Sequence, residues 1–309
     1  MKNPESFQGE KYLTKNKNYF EGWYFKNSNA EEVIFFIPGI HINDKERKVF
    51  IQIITNHQSY YVNYELQDFI FHVHPFFIQI KNNVFSKRGI ILDIEDKKQD
   101  LNVQGALQYN NHQNIQKNGF QPNIMGPFSY IPFMECNHAI LCMRNSICGH
   151  IDLNENRIEF ENGIGYIEKD WGCSFPKSYV WCQGNHFMHS NASFMLSIAE
   201  IPFKILNFRG FLCILIIDKK EYRFATYNHA RIIRNEVSDK NLHIRLQRKS
   251  YTLDIQSYYE NAHELNAPVD GKMDKIIYES ISACIRVTLK KDENILFSDI
   301  SDNCGLEIV

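Results

Sequence analysis

Two stretches of the chain gather the side chains that acid–base chemistry in an apolar setting requires. The first, Tyr19-Phe20-Glu21-Gly22-Trp23-Tyr24-Phe25-Lys26, sets one carboxylate among large rings. On a strand, Glu21, Trp23 and Phe25 share one face, and Phe20, Gly22 and Tyr24 share the other. A carboxyl enclosed by rings loses hydration, keeps its proton and becomes a neutral acid. An edge carboxylate paired with Lys26 or an arginine is the plainer arrangement of the same residues. The second stretch runs from Tyr166 to Lys177 and on from Tyr179 to Phe187. Glu168 and Asp170 alternate ahead of Trp171. On the strand that follows, Tyr179, Trp181, Gln183, Asn185 and Phe187 share a face, with His186 beside them. Rings with two amides between them suit an apolar ligand carrying one polar end; the amides could equally bond backbone groups within a sheet. The candidate acids are Glu168, Asp170 and Glu21, the first two preferred because they precede Trp171 in the more distinctive block. The candidate binding residues are Trp23, Tyr24, Trp171, Trp181, Gln183, Asn185 and His186.

Other chemistries lack their residues. His72 and His74 form an HxH, but no HExxH, second HxH or cysteine partner completes a metal set, so no metal is expected. No GxSxG, phosphate-binding loop or GxGxxG motif occurs. The run Met134-Glu135-Cys136-Asn137-His138 holds an acid, a thiol and an imidazole, with nothing in the sequence to align them as a triad. The eight cysteines include no CxxC pair, and most lie in apolar stretches, which reads as reduced, structural thiols. No cofactor is expected.

Strands must position these groups. Of the 309 residues, 44% are hydrophobic and 14% aromatic, and 34 Lys and Arg against 36 Asp and Glu leave a net charge of −2. Near-neutral charge without a basic block argues against nucleic acid. The apolar run from Phe211 to Ile217 is far shorter than the roughly 20 residues that cross a bilayer as a helix, while peripheral contact with a membrane stays open. The polar N-terminus reads as carrying no secretory leader, and the expected location is the cytoplasm.

Aromatic and β-branched residues favour strands, and short alternating runs recur throughout, such as KVFIQIIT, SYYVNYEL and RGIILDIED, with DLNENR as a hairpin turn. The expected fold class is all-β, with two antiparallel β-barrel or sandwich halves in tandem over residues 1–164 and 165–309. Residues 110–133, with Pro122, Pro127 and Pro132, read as a long connection or lid. A short helix near Asn261 to Leu265 is the one departure considered.

In chain order, the segments YFEGWYFK (19–26), FFIPGI (35–40), PNIMGPFSYIPFMECNH (122–138), GYIEKDWGCSFPKSYVWCQGNHF (165–187), SFMLSIAEIPF (193–203), YRFATY (222–227), LNAPVDGKM with ESI (265–281) and CGLEIV (304–309) resemble the tocopherol cyclase family, and more closely its bacterial tocopherol cyclase-like members. The sequence reads as carrying no plastid transit peptide, and its Ile-, Asn- and Lys-heavy composition looks bacterial. The resemblance implies lipocalin-like halves, akin to carotenoid hydratases. It also implies ring closure by addition of a quinol hydroxyl across the nearest alkene of a prenyl tail, with no redox cofactor or metal. A hydratase using water as the nucleophile, and a non-catalytic carrier of an apolar or prenylated small molecule, would use the same cavity. Oligomeric state is not legible in the sequence.

Overall fold

The computed structural model describes residues 4–15, 17–73, 75–132, 134–203 and 206–309. His74 lies outside them. The chain builds strands almost throughout, with four short 3-10 turns and no α-helix among the described residues. The first sheet begins with β1 (Tyr19–Ser28), β2 (Val33–Ile42), β3 (Arg47–Thr55), β4 (Ser59–Glu65), β5 (Phe69–Val73) and β6 (Phe76–Ile80). It continues with β7 (Asn83–Ser86), β8 (Gly89–Asp96), β9 (Leu101–Gln113), β10 (Cys136–Leu153), β11 (Asn156–Glu159) and β12 (Gly163–Gly172). The second sheet holds β13 (Tyr179–Gly184), β14 (His186–Phe187), β15 (Ser193–Phe203), β16 (Leu206–Ile217), β17 (Lys220–Ala225) and β18 (Arg231–Val237). Its last strands are β19 (Asn241–Arg248), β20 (Tyr251–Tyr258), β21 (His263–Val269), β22 (Lys272–Lys291) and β23 (Asn294–Ile308).

Both sheets follow one plan. In the first, the order is β4-β3-β2-β1-β12-β10-β9-β8-β7-β6-β5; in the second it is β17-β16-β15-β13-β23-β22-β20-β19-β18. In each, the opening strand pairs with the closing one, β1 with β12 and β13 with β23. The two edges of each sheet are consecutive in sequence, joined by the 3-10 turns Leu66–Asp68 and Thr226–Asn228. Each sheet thus folds over on itself around its own core, sandwich-like rather than a closed barrel.

One core collects Trp23, Phe25, Phe36, Ile51, Phe85 and Ile167, and the other Cys182, Phe194, Leu215, Ile244, Val287 and Leu306. The change of sheet comes between Gly172 and Tyr179. The hairpin in DLNENR forms, with Asn154 at φ 53°. The helix considered near Asn261 to Leu265 does not form. Residues 263–265 instead open β21, paired with β22, because the alternating pattern is satisfied by that neighbour.

A third apolar cluster joins the halves: Tyr24, Phe35, Tyr166, Tyr179, Trp181 and Ile281 are among its members. The β21–β22 turn adds a clasp. Gly271 has φ 70°, and a Cβ there would lie 2.2 Å from the Ile42 carbonyl oxygen, so only glycine lets this turn seat against the first sheet. Its N–H donates to the Cys173 carbonyl at 2.8 Å. Among the described residues no helix is long and apolar enough to cross a membrane.

Candidate active site between the two sheets

Alternation along the pairing strands sorts the candidate residues. On β1, Trp23 and Phe25 enter the first core while Tyr24 faces the second sheet. On β12, Ile167 enters the first core and Tyr166 faces the second sheet, so Glu168 and Asp170 follow Tyr166. Antiparallel register then sets Tyr24 opposite Glu168 and His138 opposite Asp170. From the second sheet, Trp181 stands opposite Glu307, and Glu307 opposite Glu279. Two ladders of polar and aromatic side chains therefore meet face to face in the apolar layer between the sheets.

The contacts across this layer are specific. Trp181 Nε1 donates to Glu168 Oε2 at 3.2 Å, and the Tyr166 hydroxyl donates to the same oxygen at 2.5 Å. His138 bonds Asp170 Oδ1 through Nδ1 at 2.9 Å, and its Nε2 lies 3.6 Å from Glu168 Oε2. The Tyr24 hydroxyl donates to Glu279 Oε1, and the Tyr179 hydroxyl to Glu307 Oε2 at 2.5 Å. Glu279 Oε2 and His138 Nε2 are buried with no hydrogen-bond partner among the described residues.

Burial governs the protonation of this group. Desolvation pushes the Glu168 carboxyl up to about 7; the Asp170 charge adds to the rise and His138 opposes it. Desolvation likewise raises Glu307 to about 8 and Glu279 well above the carboxylate range, each repelled further by its acidic neighbours. His138 goes the other way from ordinary buried histidines. Burial disfavours its charge, but the Asp170 and Glu168 carboxylates outweigh that and lift it to about 9. At neutral pH His138 is an imidazolium, and Glu168 beside it partly keeps its proton.

His138 connects this buried group to open space. With Trp171 and Cys173 it forms one wall of a cavity of about 650 Å³. The N-terminal segment, through Gln8, Tyr12 and Tyr19, and the loop carrying Pro122, Met125 and Met134 close the other sides. The 110–133 stretch is thus connection and cavity wall together: β9 extends into it as far as Gln113, and a 3-10 turn spans Gly126–Tyr130.

The other candidates are placed elsewhere. Glu21 faces the first core, fully buried, paired with Lys169 Nζ at 2.5 Å rather than with Lys26 or an arginine. It also accepts from the N–H groups of Gln8 and Gly9 at 2.9 Å and from the Tyr19 hydroxyl at 2.5 Å. The Trp23 and Trp171 rings lie 5.0 and 4.7 Å from the Lys169 ammonium, so Trp23 serves this ion pair and not the cavity. Gln183 Oε1 accepts from Lys26 at 2.9 Å, and Asn185 Nδ2 donates to the Gly165 carbonyl at 2.9 Å; both amides pin the sheets together. The face expected to run through Asn185 to Phe187 breaks, because β13 ends at Gly184 and Phe187 turns into the second core. His186 stands on β14 opposite Asp302 and is not joined to the carboxyl group.

His138, Glu279 and Glu307 were not among the candidates. The last two are the lone acids of ESI and CGLEIV, and that isolation in apolar segments was the available signal. Donor atoms of His138, Glu168 and Asp170 lie within 4.8 Å of one another, a spacing that could hold a cation. His138 Nδ1 and Asp170 Oδ1 are already bonded to each other, and Glu168 Oε2 to Tyr166 and Trp181, while His138 Nε2 has no such partner among the described residues.

The tocopherol cyclase-like family pattern matches residues 79–309. The chain belongs to that family. Over 80 residues it is 35% identical to the probable chloroplastic tocopherol cyclase of Oryza sativa subsp. japonica and to the chloroplastic tocopherol cyclase of Zea mays. That stretch is 26% of this chain and 17% of each plant protein, so the likeness spans about a sixth of their length. Among solved structures, CghA superposes with a TM-score of 0.60 at 6% identity, covering 94% of this chain and 88% of that one. Kievitone hydratase of Nectria haematococca gives 0.54 at 11% identity, covering 95% and 89%. At such identities the two share the fold with this family member.

The raised carboxyls make stability depend on pH. Below its unfolded value of 4.5, Glu307 is protonated in both states and costs nothing; from there to about 8 the unfolded chain ionises first, so stability falls as pH rises and levels off above. Glu307→Gln removes that loss while still accepting from Tyr179, though its own NH₂ must be desolvated. The expected result is equal or lower stability at pH 5 but a gain of about 1–2 kcal/mol at pH 9, read from urea unfolding. A constant difference at both pH values would show that folding does not raise the Glu307 pKa.

Proposed function

We propose that this family member is an enzyme that adds a hydroxyl group across an alkene of an isoprenoid substrate, a prenylated quinol being the leading case, and so closes a ring. The observation that carries the reading is His138, an imidazolium at the wall of the cavity, backed by Asp170 and Glu168. One proton passes from this group to the less substituted alkene carbon as the substrate oxygen bonds the other. The hydroxyl proton returns to the imidazole, so the product is an isomer of the substrate and the enzyme ends unchanged. Asp170 positions His138 through Nδ1, and Nε2, which lies 3.6 Å from Glu168 Oε2 and has no hydrogen-bond partner among the described residues, is the nitrogen that would deliver the proton. Trp171, Tyr12 and Tyr19 line the cavity where the positive charge develops. The cavity volume suits a folded prenyl tail beside its ring. The family relationship and the plant cyclases' names support the same chemistry.

Incubation with prenylated quinols, followed by chromatography and mass spectrometry, tests the reading. A product of unchanged mass and altered retention is expected. A gain of one water would make the protein a hydratase, and binding without turnover would leave a carrier. Turnover is also expected to fall as pH rises through about 9, where the imidazolium loses its proton. A flat profile across that range would remove His138 as the proton donor.

A further inference from the structure

The mouth of the cavity has two unlike lips. One is the N-terminal segment, where Lys11, Lys15 and Lys17 are exposed and line the opening. Between Gly9 and Tyr19 they stand against a single acid, Glu10. None of the described residues lining the cavity is an Asp or a Glu, although acids outnumber bases in the chain as a whole. The Lys11 ammonium lies 4.8 Å from the centre of the Tyr12 ring, which keeps it at the rim.

The other lip is the turn from Asn118 to Gln121 and the residues after it. Phe120 at its tip is 83% exposed, and Tyr130 is 52% exposed with its hydroxyl bonded to the Gly119 carbonyl. Pro122 and Asn123, directly after this turn, line the cavity. Lys117 ties the two lips together through Glu5 at 3.1 Å.

A large ring exposed at the tip of a turn beside an opening can enter an interface if one meets it. Aromatic side chains and lysines around one opening form the pattern that binds a bilayer surface, with rings at the headgroup level and ammonium groups against anionic lipid. We infer that the cavity mouth docks on an anionic membrane surface, with Phe120 and Tyr130 entering the interface and Lys11, Lys15 and Lys17 contacting headgroups. A prenylated substrate would then pass from the bilayer into the cavity without crossing water. This last step rests on the proposed chemistry, whereas the docking itself does not.

Co-sedimentation of the full chain with sucrose-loaded vesicles reads the docking with no substrate present. Phosphatidylcholine vesicles are compared with vesicles in which a third of the lipid is phosphatidylglycerol. Binding is expected to the anionic vesicles, at least about tenfold tighter than to the neutral ones and reversed by high salt. The triple variant Lys11→Gln, Lys15→Gln, Lys17→Gln is expected to bind roughly a hundredfold more weakly, about fivefold for each lysine. Phe120→Ser, an exposed change that leaves the core untouched, should weaken binding several-fold. Equal binding to both vesicle types, no binding to either, or an unchanged triple variant of native melting temperature would overturn the inference. Docking without turnover of detergent-dispersed substrate would overturn the proposed chemistry instead, and turnover without docking would overturn only the membrane surface.

Discussion

His138→Gln is expected to lower turnover of a prenylated quinol by about 10²–10⁴-fold, the range that a positioned acid–base group supplies. Glutamine fills much of the same space and can donate toward Asp170, so the loss falls on proton transfer and not on packing. His138 is the member of the buried acid–base group that also lines the cavity; Glu168, 3.6 Å from its Nε2, is buried. A second readout separates chemistry from structure. The variant should lose the alkaline limb near 9, and Asp170→Asn should keep a limb but shift it downward, because one of the two carboxylates that hold the imidazolium is gone. Glu168→Gln should shift it in the same sense. Turnover of His138→Gln within about threefold of the parent, at unchanged melting temperature, would assign the proton to another group.

Glu21→Ala should destabilise the fold by about 3–5 kcal/mol, since it strands the Lys169 ammonium in the first core. Both partners are fully buried, and the carboxylate also holds two backbone N–H groups of the N-terminal segment. Lys169 in turn donates to the Pro4 and Ser6 carbonyls at 3.0 and 2.6 Å, so the pair anchors that segment from two sides. Urea unfolding at neutral pH measures the loss. The double variant Glu21→Ala, Lys169→Met should recover at least about half of it, because the uncompensated charge is gone. A double variant as unstable as the single one would mean that the lost N–H acceptors, and not the orphaned ammonium, dominate.

The strand faces were legible in the sequence because a period of two leaves no freedom once a strand is assigned. Glu21 with Trp23 and Phe25, and Glu168 with Asp170, do share faces. What alternation could not tell was which face met the cavity. β1 is buried on both sides, so nothing in its composition separates the face toward its own core from the face toward the other sheet. Glu21 therefore stayed a candidate acid behind Glu168 and Asp170, until Lys169 appeared beside it. His138, Glu279 and Glu307 were out of reach for a different reason. Each meets the site through cross-strand register, a property of chain pairing that local residue types do not encode. The break at Asn185 was equally silent, since Gly184 and Asn185 are ordinary within a strand pattern until the sheet runs out of a partner.

The pairing of first strand with last in each sheet has a kinetic consequence. Tyr24 and Glu279 touch across 255 positions of sequence, and Tyr179 and Glu307 across 128. Contacts of that span are the slow ones to form, because long loops must close before they are rewarded. The acid group is thus assembled at the end of folding, after both sheets have shut. Recovery of turnover during refolding should lag behind recovery of strand content, and a chain arrested before β22 would hold Glu168 without Glu279 and Glu307.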